Sequence, residues 1–140
     1  MVNDHVDVAL SSAADGVHLG PDDLSVAGAR KAAGRRLLIG ASASTPEAAV
    51  RAEAAGADYL GSGPAYATPL KAEKRVIGPA GVAAVTAAVR IPVFAVGGVD
   101  LGRMPELMAS GVTRVCAIRS LANTADPEGR ARLFREALEE

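Results

Sequence analysis

Short apolar runs recur along this chain at a nearly constant interval, and that beat restricts the fold more than any other feature. Val17 to Leu19, Leu37 to Ala41, Tyr59 to Leu60, Val93 to Val96 and Val115 to Ile118 all have strand length. Their starts fall about 20 to 22 residues apart, with one interval of about 34 between the third and the fourth. None alternates with polar residues, the pattern of parallel strands covered on both faces. Between the runs lie alanine-rich stretches of helical period with their punctuation in place. Thr45-Pro46-Glu47 supplies a hydroxyl N-cap and a proline at the first helical position, and Gly56 closes that helix. Asp126-Pro127-Glu128 opens the last helix in the same way, and Gly111 ends a helix that starts near Leu101. Strand, helix and strand again at this spacing means right-handed crossovers onto a parallel sheet.

Two architectures share the beat, the doubly wound open sheet and the (β/α)8 barrel. No G-x-G-x-x-G opens a helix, which removes the dinucleotide turn that would favour the first. Five runs do not close an eight-stranded barrel, so the barrel reading expects about three β/α units ahead of them. With 140 residues and no linker or low-complexity segment, residues 1–140 read as a single domain.

Composition excludes several function classes. A net charge of −1 with 22% charged residues offers no basic patch for nucleic acid or anionic lipid. Aromatic residues make up 3% with no tryptophan, too few for stacking on single strands or sugars. No apolar run approaches the roughly twenty residues that span a bilayer, and MVNDHVD has no apolar stretch of the kind a secretory signal needs. A cytoplasmic protein with no nucleic-acid or membrane partner is the expectation. Cys116, the single cysteine, sits inside a strand run and reads as a small buried hydrophobe.

Parallel α/β folds bind ligands where strands end, so the residues after each run are the candidates. Gly97-Gly98 removes side chains where backbone amides approach a phosphate, and Arg119 supplies a second arm one strand later. Read singly, these are a tight turn and an edge arginine; read as neighbouring loops on one rim, they form a phosphate site. Asp22 and Asp23 follow a strand, where carboxylates either cap amides or hold a hard cation. Asp4, beside Asn3, ends what would be a preceding strand, so Asp4 and Asp23 are candidates for a shared Mg2+. Asp7, Asp15 and His5 read as surface residues, and His18 as a hydrogen-bonded core or rim residue rather than a base. The long segment from Gly61 to Lys74 brings Thr68 and Lys71 as phosphate contacts, with a solvated loop as the plain alternative. No zinc spacing, Ser/His/Asp set or C-x-x-C appears.

In order, VND at 2 to 4, ADGVHLGPDDL at 14 to 24, IGASAST at 39 to 45, ADYLGSGPAYATPLK at 57 to 71, IPVFAVGGV at 91 to 99 and Ile118-Arg119 resemble thiamine-phosphate synthases over essentially all 140 residues. The resemblance implies a (β/α)8 barrel that couples hydroxymethylpyrimidine diphosphate to thiazole phosphate with Mg2+, releasing pyrophosphate. It places Asp4 and Asp23 on the metal and Asn3, Ser42 and Lys71 on the pyrimidine diphosphate, with Lys71 and Ser42 as the catalytic pair. It places Thr68, Pro69, Leu70, Gly97, Gly98, Ile118 and Arg119 on the thiazole phosphate. The chain departs from the family at Pro21, Ser44, Leu70 and Arg119, where members usually carry Gln, His, a hydroxyl residue and Ser. It also implies a partial barrel, with the first two strands and most of the third absent together with the Q-x-R-x-K segment, and open edges prone to self-association. Two other readings stand beside the synthase. A thiazole tautomerase would want a general base where Ser44 stands, and a non-catalytic phosphate-binding or assembly module would keep only the phosphate loops.

Overall fold

The computed structural model describes residues 1–68 and 75–139. Elements follow the expected beat: β1 (Val2–Asn3), α1 (Val6–Ser11), β2 (Gly16–Leu19), α2 (Val26–Ala33), β3 (Leu38–Ser42), α3 (Pro46–Ala54), β4 (Tyr59–Ser62), α4 (Gly78–Ala88), β5 (Val93–Ala95), a 3-10 turn (Leu101–Arg103), α5 (Met104–Ala109), α6 (Arg119–Ala122) and α7 (Pro127–Glu139). The helix boundaries have the chemistry their sequences suggest. Thr45 Oγ1 accepts from the Ala48 amide at 3.2 Å and Asp126 Oδ1 from the Gly129 amide at 2.8 Å, while Gly56 and Gly111 leave their helices at φ +98° and +83°. The N-cap of α2 is Ser25, which accepts from the Gly28 amide at 3.1 Å.

All five strands are parallel and lie side by side in chain order, β1-β2-β3-β4-β5. A doubly wound sheet reverses direction at a switch point; this one never does. With right-handed crossovers, monotonic order puts every helix on one face, the winding of a barrel wall.

The last expected strand, Val115 to Ile118, is a correction. Only Val115 pairs, through a single parallel bridge to Ala95, closed by Ala95 N to Arg114 O at 2.9 Å and Cys116 N to Ala95 O at 2.8 Å. The chain turns into α6 at Arg119 before a ladder can extend.

Coverage on both faces is also corrected. Packing against the helices alternates along the strands, so that only one parity reaches them. Val17, Leu19 and Ile39 pack with Ala9 and Ala29; Leu60 and Val93 pack with Ala49 and Val85; Ala95 packs with Val82, Leu107 and Phe134. Each Val, Leu, Ile or Phe side chain so removed from water contributes roughly 1.5–3 kcal/mol, and each alanine methyl less. The opposite parity forms an inner face with Leu38 53% and Ile118 66% exposed. Glycines there make room for rings: a Cβ on Gly40 would run into Tyr59, and one on Gly61 would lie 3.3 Å from His18 Cε1. His18, Tyr59 and Phe94 therefore form a row, with centroids 5.6 and 5.8 Å apart, the second pair edge-on at 85°.

Cys116 follows from the same parity. Its neighbours Val115 and Ala117 pack against the helix-side core, so its thiol points the other way and is exposed, not buried.

Candidate functional site

The strand tips carry a cleft of about 520 Å3. Of the residues singled out from sequence, Ser42, Thr68, Gly97, Gly98, Ile118 and Arg119 line it together. They come from β3, the segment after β4, the turn after β5 and the start of α6, so three successive strand ends and the entry to α6 supply one site. Pro69, Leu70 and Lys71 lie outside the described residues. Asn3, Asp4 and Asp23 do not line this cleft.

Its floor is the Gly97-Gly98 turn, with φ of +86° and +66°, a region L side chains rarely adopt. Space demands glycine here as well. A Cβ on Gly97 would sit 2.8 Å from Pro64 Cα, and one on Gly98 2.8 Å from Tyr66 Cβ and 2.9 Å from Tyr66 O. The segment after β4 crosses directly over the turn, held by Ala65 N to Val96 O at 2.8 Å and Tyr66 N to Gly97 O at 3.0 Å. Thr68 is thereby brought to the cleft wall, where its Oγ1 accepts from Arg119 Nη2 at 3.4 Å. A hydroxyl and a guanidinium over a side-chain-free turn have the donor chemistry that anion sites use.

Ser42 stands at the other end. Its Oγ is 3.0 Å from His18 Nε2, while His18 Nδ1 is 3.1 Å from Tyr59 Oη. His18 is thus the hydrogen-bonded rim residue its sequence setting suggests, and it orients the Ser42 hydroxyl. Burial, together with the nearby Cys116 thiol, raises the Tyr59 phenol above its ordinary range, so Tyr59 stays neutral beside His18.

Asp4 follows β1 with φ +67°, its amide donating to His18 O at 2.8 Å. Asp23 lies past the next strand, and its Oδ2 accepts from the Gly20 amide at 2.6 Å, closing a turn rather than capping α2. The pair is therefore carried by neighbouring strand ends, β1 and β2. The Asp23 Oδ1 accepts no hydrogen bond among the described residues. Two oxygen donors of this kind suit Mg2+, which takes one or two carboxylates and completes its octahedron with water and substrate oxygens. Among the described residues no three His, Cys, Asp or Glu side chains converge, so a cation here would depend on those outside oxygens.

Sequence reasoning missed Arg103, Asp100 and Asn123 on the cleft wall and Tyr66 just behind it. Asn123 had a local sign, one helical turn beyond Arg119. Arg103 and Tyr66 had none, because they meet only across 37 residues.

Comparison with known proteins gives a consistent result. The family model described as thiamine monophosphate synthase matches residues 1–121. A thiamine-phosphate synthase of Gloeobacter violaceus is 44% identical over 99% of this chain, and one of Haloquadratum walsbyi is 44% identical over 99%. This chain spans 40% and 64% of their respective lengths. The solved thiamine phosphate pyrophosphorylase of Pyrococcus furiosus superposes with a TM-score of 0.88 at 38% identity, over 99% of this chain and 66% of that one. A 3-hexulose-6-phosphate synthase, 24% identical with a TM-score of 0.72, shares the fold.

Proposed function

The chain belongs to the thiamine monophosphate synthase family, and from that footing we propose that it serves the coupling of hydroxymethylpyrimidine diphosphate with thiazole phosphate to give thiamine phosphate and pyrophosphate. The observation that carries the reading is the single cleft uniting Ser42, Thr68, the Gly97-Gly98 turn and Ile118-Arg119.

In this reading the thiazole phosphate lies against the glycine turn, with Arg119 and Thr68 on its oxygens and the thiazole directed toward Ser42. Ser42, together with Asn3 and Lys71, takes the pyrimidine diphosphate. The C–O bond between the pyrimidine methylene and the diphosphate breaks, the diphosphate leaves with the electron pair, and the thiazole nitrogen lone pair forms the new N–C bond. No proton moves in that exchange, so no general base is required, which accords with a site rich in donors and poor in bases. The site's part is to hold both reactants and to stabilise charge on the departing oxygens. Asp4 and Asp23 would hold Mg2+, which when bound supplies charge neutralisation to the leaving group. Ser44, where a base is wanted, disfavours the tautomerase reading.

The test is product formation from the two substrates with Mg2+, followed as thiamine phosphate and pyrophosphate by chromatography. It is run with the chain alone and with the amino-terminal segment of a longer relative added. Product lost in the Asp23→Ala variant and with chelator is the expected result. No product in either arrangement, with both polypeptides folded and thiazole phosphate still bound, would overturn synthesis in favour of a non-catalytic phosphate-binding module.

A further inference from the structure

Among the described residues, Arg103 is the one cleft cation that the proposed coupling leaves without a role, and its surroundings are unusually complete. It ends the 3-10 turn after the glycine pair. Asp100 fixes it twice, its Oδ1 accepting from the Arg103 amide at 3.1 Å and its Oδ2 lying 3.4 Å from Nε. Arg103 Nη1 donates to the carbonyl of Gly98. Its guanidinium carbon stands 4.6 Å from the centroid of the Tyr66 ring. The Tyr66 hydroxyl in turn donates to Glu106 Oε2 at 2.8 Å, in the first turn of α5.

We propose that Arg103 is a positioning residue, a clamp that presses Tyr66 onto the Gly98 carbonyl and so sets the phosphate-facing turn and the Thr68 segment in one relative arrangement. The reason lies in what each partner would do alone. The glycine turn has no side chains to pin it, and glycine restrains its own torsions less than any other residue. The segment above it bonds to the turn through Ala65 and Tyr66, and then runs on to Thr68. A flat cation satisfies both at once, its edge on the carbonyl and its face on the ring. Lysine offers neither the fork nor the plane. Arg103 acts on the phosphate through these groups, and this role rests on the reading of the cleft as a phosphate site.

The experiment has two arms, of which the first needs no ligand. Amide exchange is followed in the full chain for Ala65 and Tyr66, with Leu60, bonded to Pro92 O in the sheet, as the reference. In Arg103→Gln and Arg103→Lys, exchange at Ala65 and Tyr66 should accelerate about tenfold while Leu60 keeps its rate. Tyr66→Phe retains the ring and should stay close to the unsubstituted chain. In the second arm inorganic phosphate is titrated calorimetrically, and both Arg103 variants should bind about tenfold more weakly. Unchanged exchange at Ala65 and Tyr66, equal acceleration at Leu60, or unaltered phosphate affinity would each overturn the clamp. If the unsubstituted chain itself takes up no phosphate, the phosphate reading falls, and the exchange arm alone decides the clamp.

Discussion

Ser62 and Tyr66, four residues apart, show opposite ways for a hydroxyl to be held. Ser62 is fully buried, and its Oγ has no hydrogen bond among the described residues. An unpaired buried hydroxyl costs roughly 1–3 kcal/mol. Ser62→Ala removes it with little change of volume, so the variant should be as stable as the parent or about 1 kcal/mol more so in urea unfolding. A clear loss of stability would mean the hydroxyl has a partner. Tyr66 is the reverse case. Desolvation first, then the bond and charge of Glu106, push its phenol up to about 12 against the opposing Arg103. A raised folded value means the neutral form is favoured by the fold, so this contribution is complete below pH 10 and fades as pH climbs toward 12. Glu106→Gln removes both the charge and the ionic acceptor. The Tyr66 phenolate band near 295 nm, read in a Tyr59→Phe background, should then appear at lower pH; an unmoved titration would dissociate Tyr66 from Glu106.

Between elements, the opposite end of the sheet depends on one arginine. Arg30 of α2 donates to Gly56 O at 3.1 and 2.6 Å, to Gly34 O at 2.8 Å and to Leu37 O at 3.1 Å, and pairs with Asp58 at 2.6 Å. Asp58 also accepts from the Ile39 amide at 2.7 Å, so α2, β3 and the entry to β4 meet at this pair. The side chains are 25% and 39% exposed, which screens the charge. Asp58→Ala should lower the urea midpoint by the equivalent of about 1–2 kcal/mol without altering the slope. None of this showed in the sequence, because it joins residues 28 apart through carbonyl oxygens. What did show was local. Thr45 and Asp126 announced their helices through side-chain caps that need only the next three residues. The apolar runs marked β2 to β5 to within about two residues at each end, since burial of one parity is written directly in side-chain type. The same runs misled about the other parity. Gly40, inside the run from Leu37 to Ala41, read as continuing the core, whereas it makes space for Tyr59 on an inner face. Cys116 was misplaced for that reason, and Val115 to Ile118 has strand composition but too few partners to form a ladder. The rim residues Ser42, Thr68, Gly97, Gly98 and Arg119 were legible because parallel order forces successive strand ends to one side.

Across the whole molecule, that convergence has a thermodynamic consequence. The cleft draws on positions from Ser42 to Asn123, so a ligand seated in it touches the ends of β3, β4 and β5 and both segments that follow. No such surface exists in the unfolded chain, and binding must therefore raise the stability of all these elements together. At a hundredfold excess over Kd the gain is about 2.7 kcal/mol, a shift of about 10 °C in Tm for a domain of this size. Thiazole phosphate alone should produce it without Mg2+, because the glycine turn, Thr68 and Arg119 need no cation between them and the phosphate. Pyrimidine diphosphate alone should produce its shift only with Mg2+, since its proposed contacts include Asp4 and Asp23, two carboxylates that repel a diphosphate until a cation lies between. Differential scanning fluorimetry with each compound, with and without the metal, separates the two ends of the site. A diphosphate shift that is indifferent to Mg2+ would remove both aspartates from metal binding, and a thiazole phosphate shift that requires the metal would place the cation at the glycine turn instead.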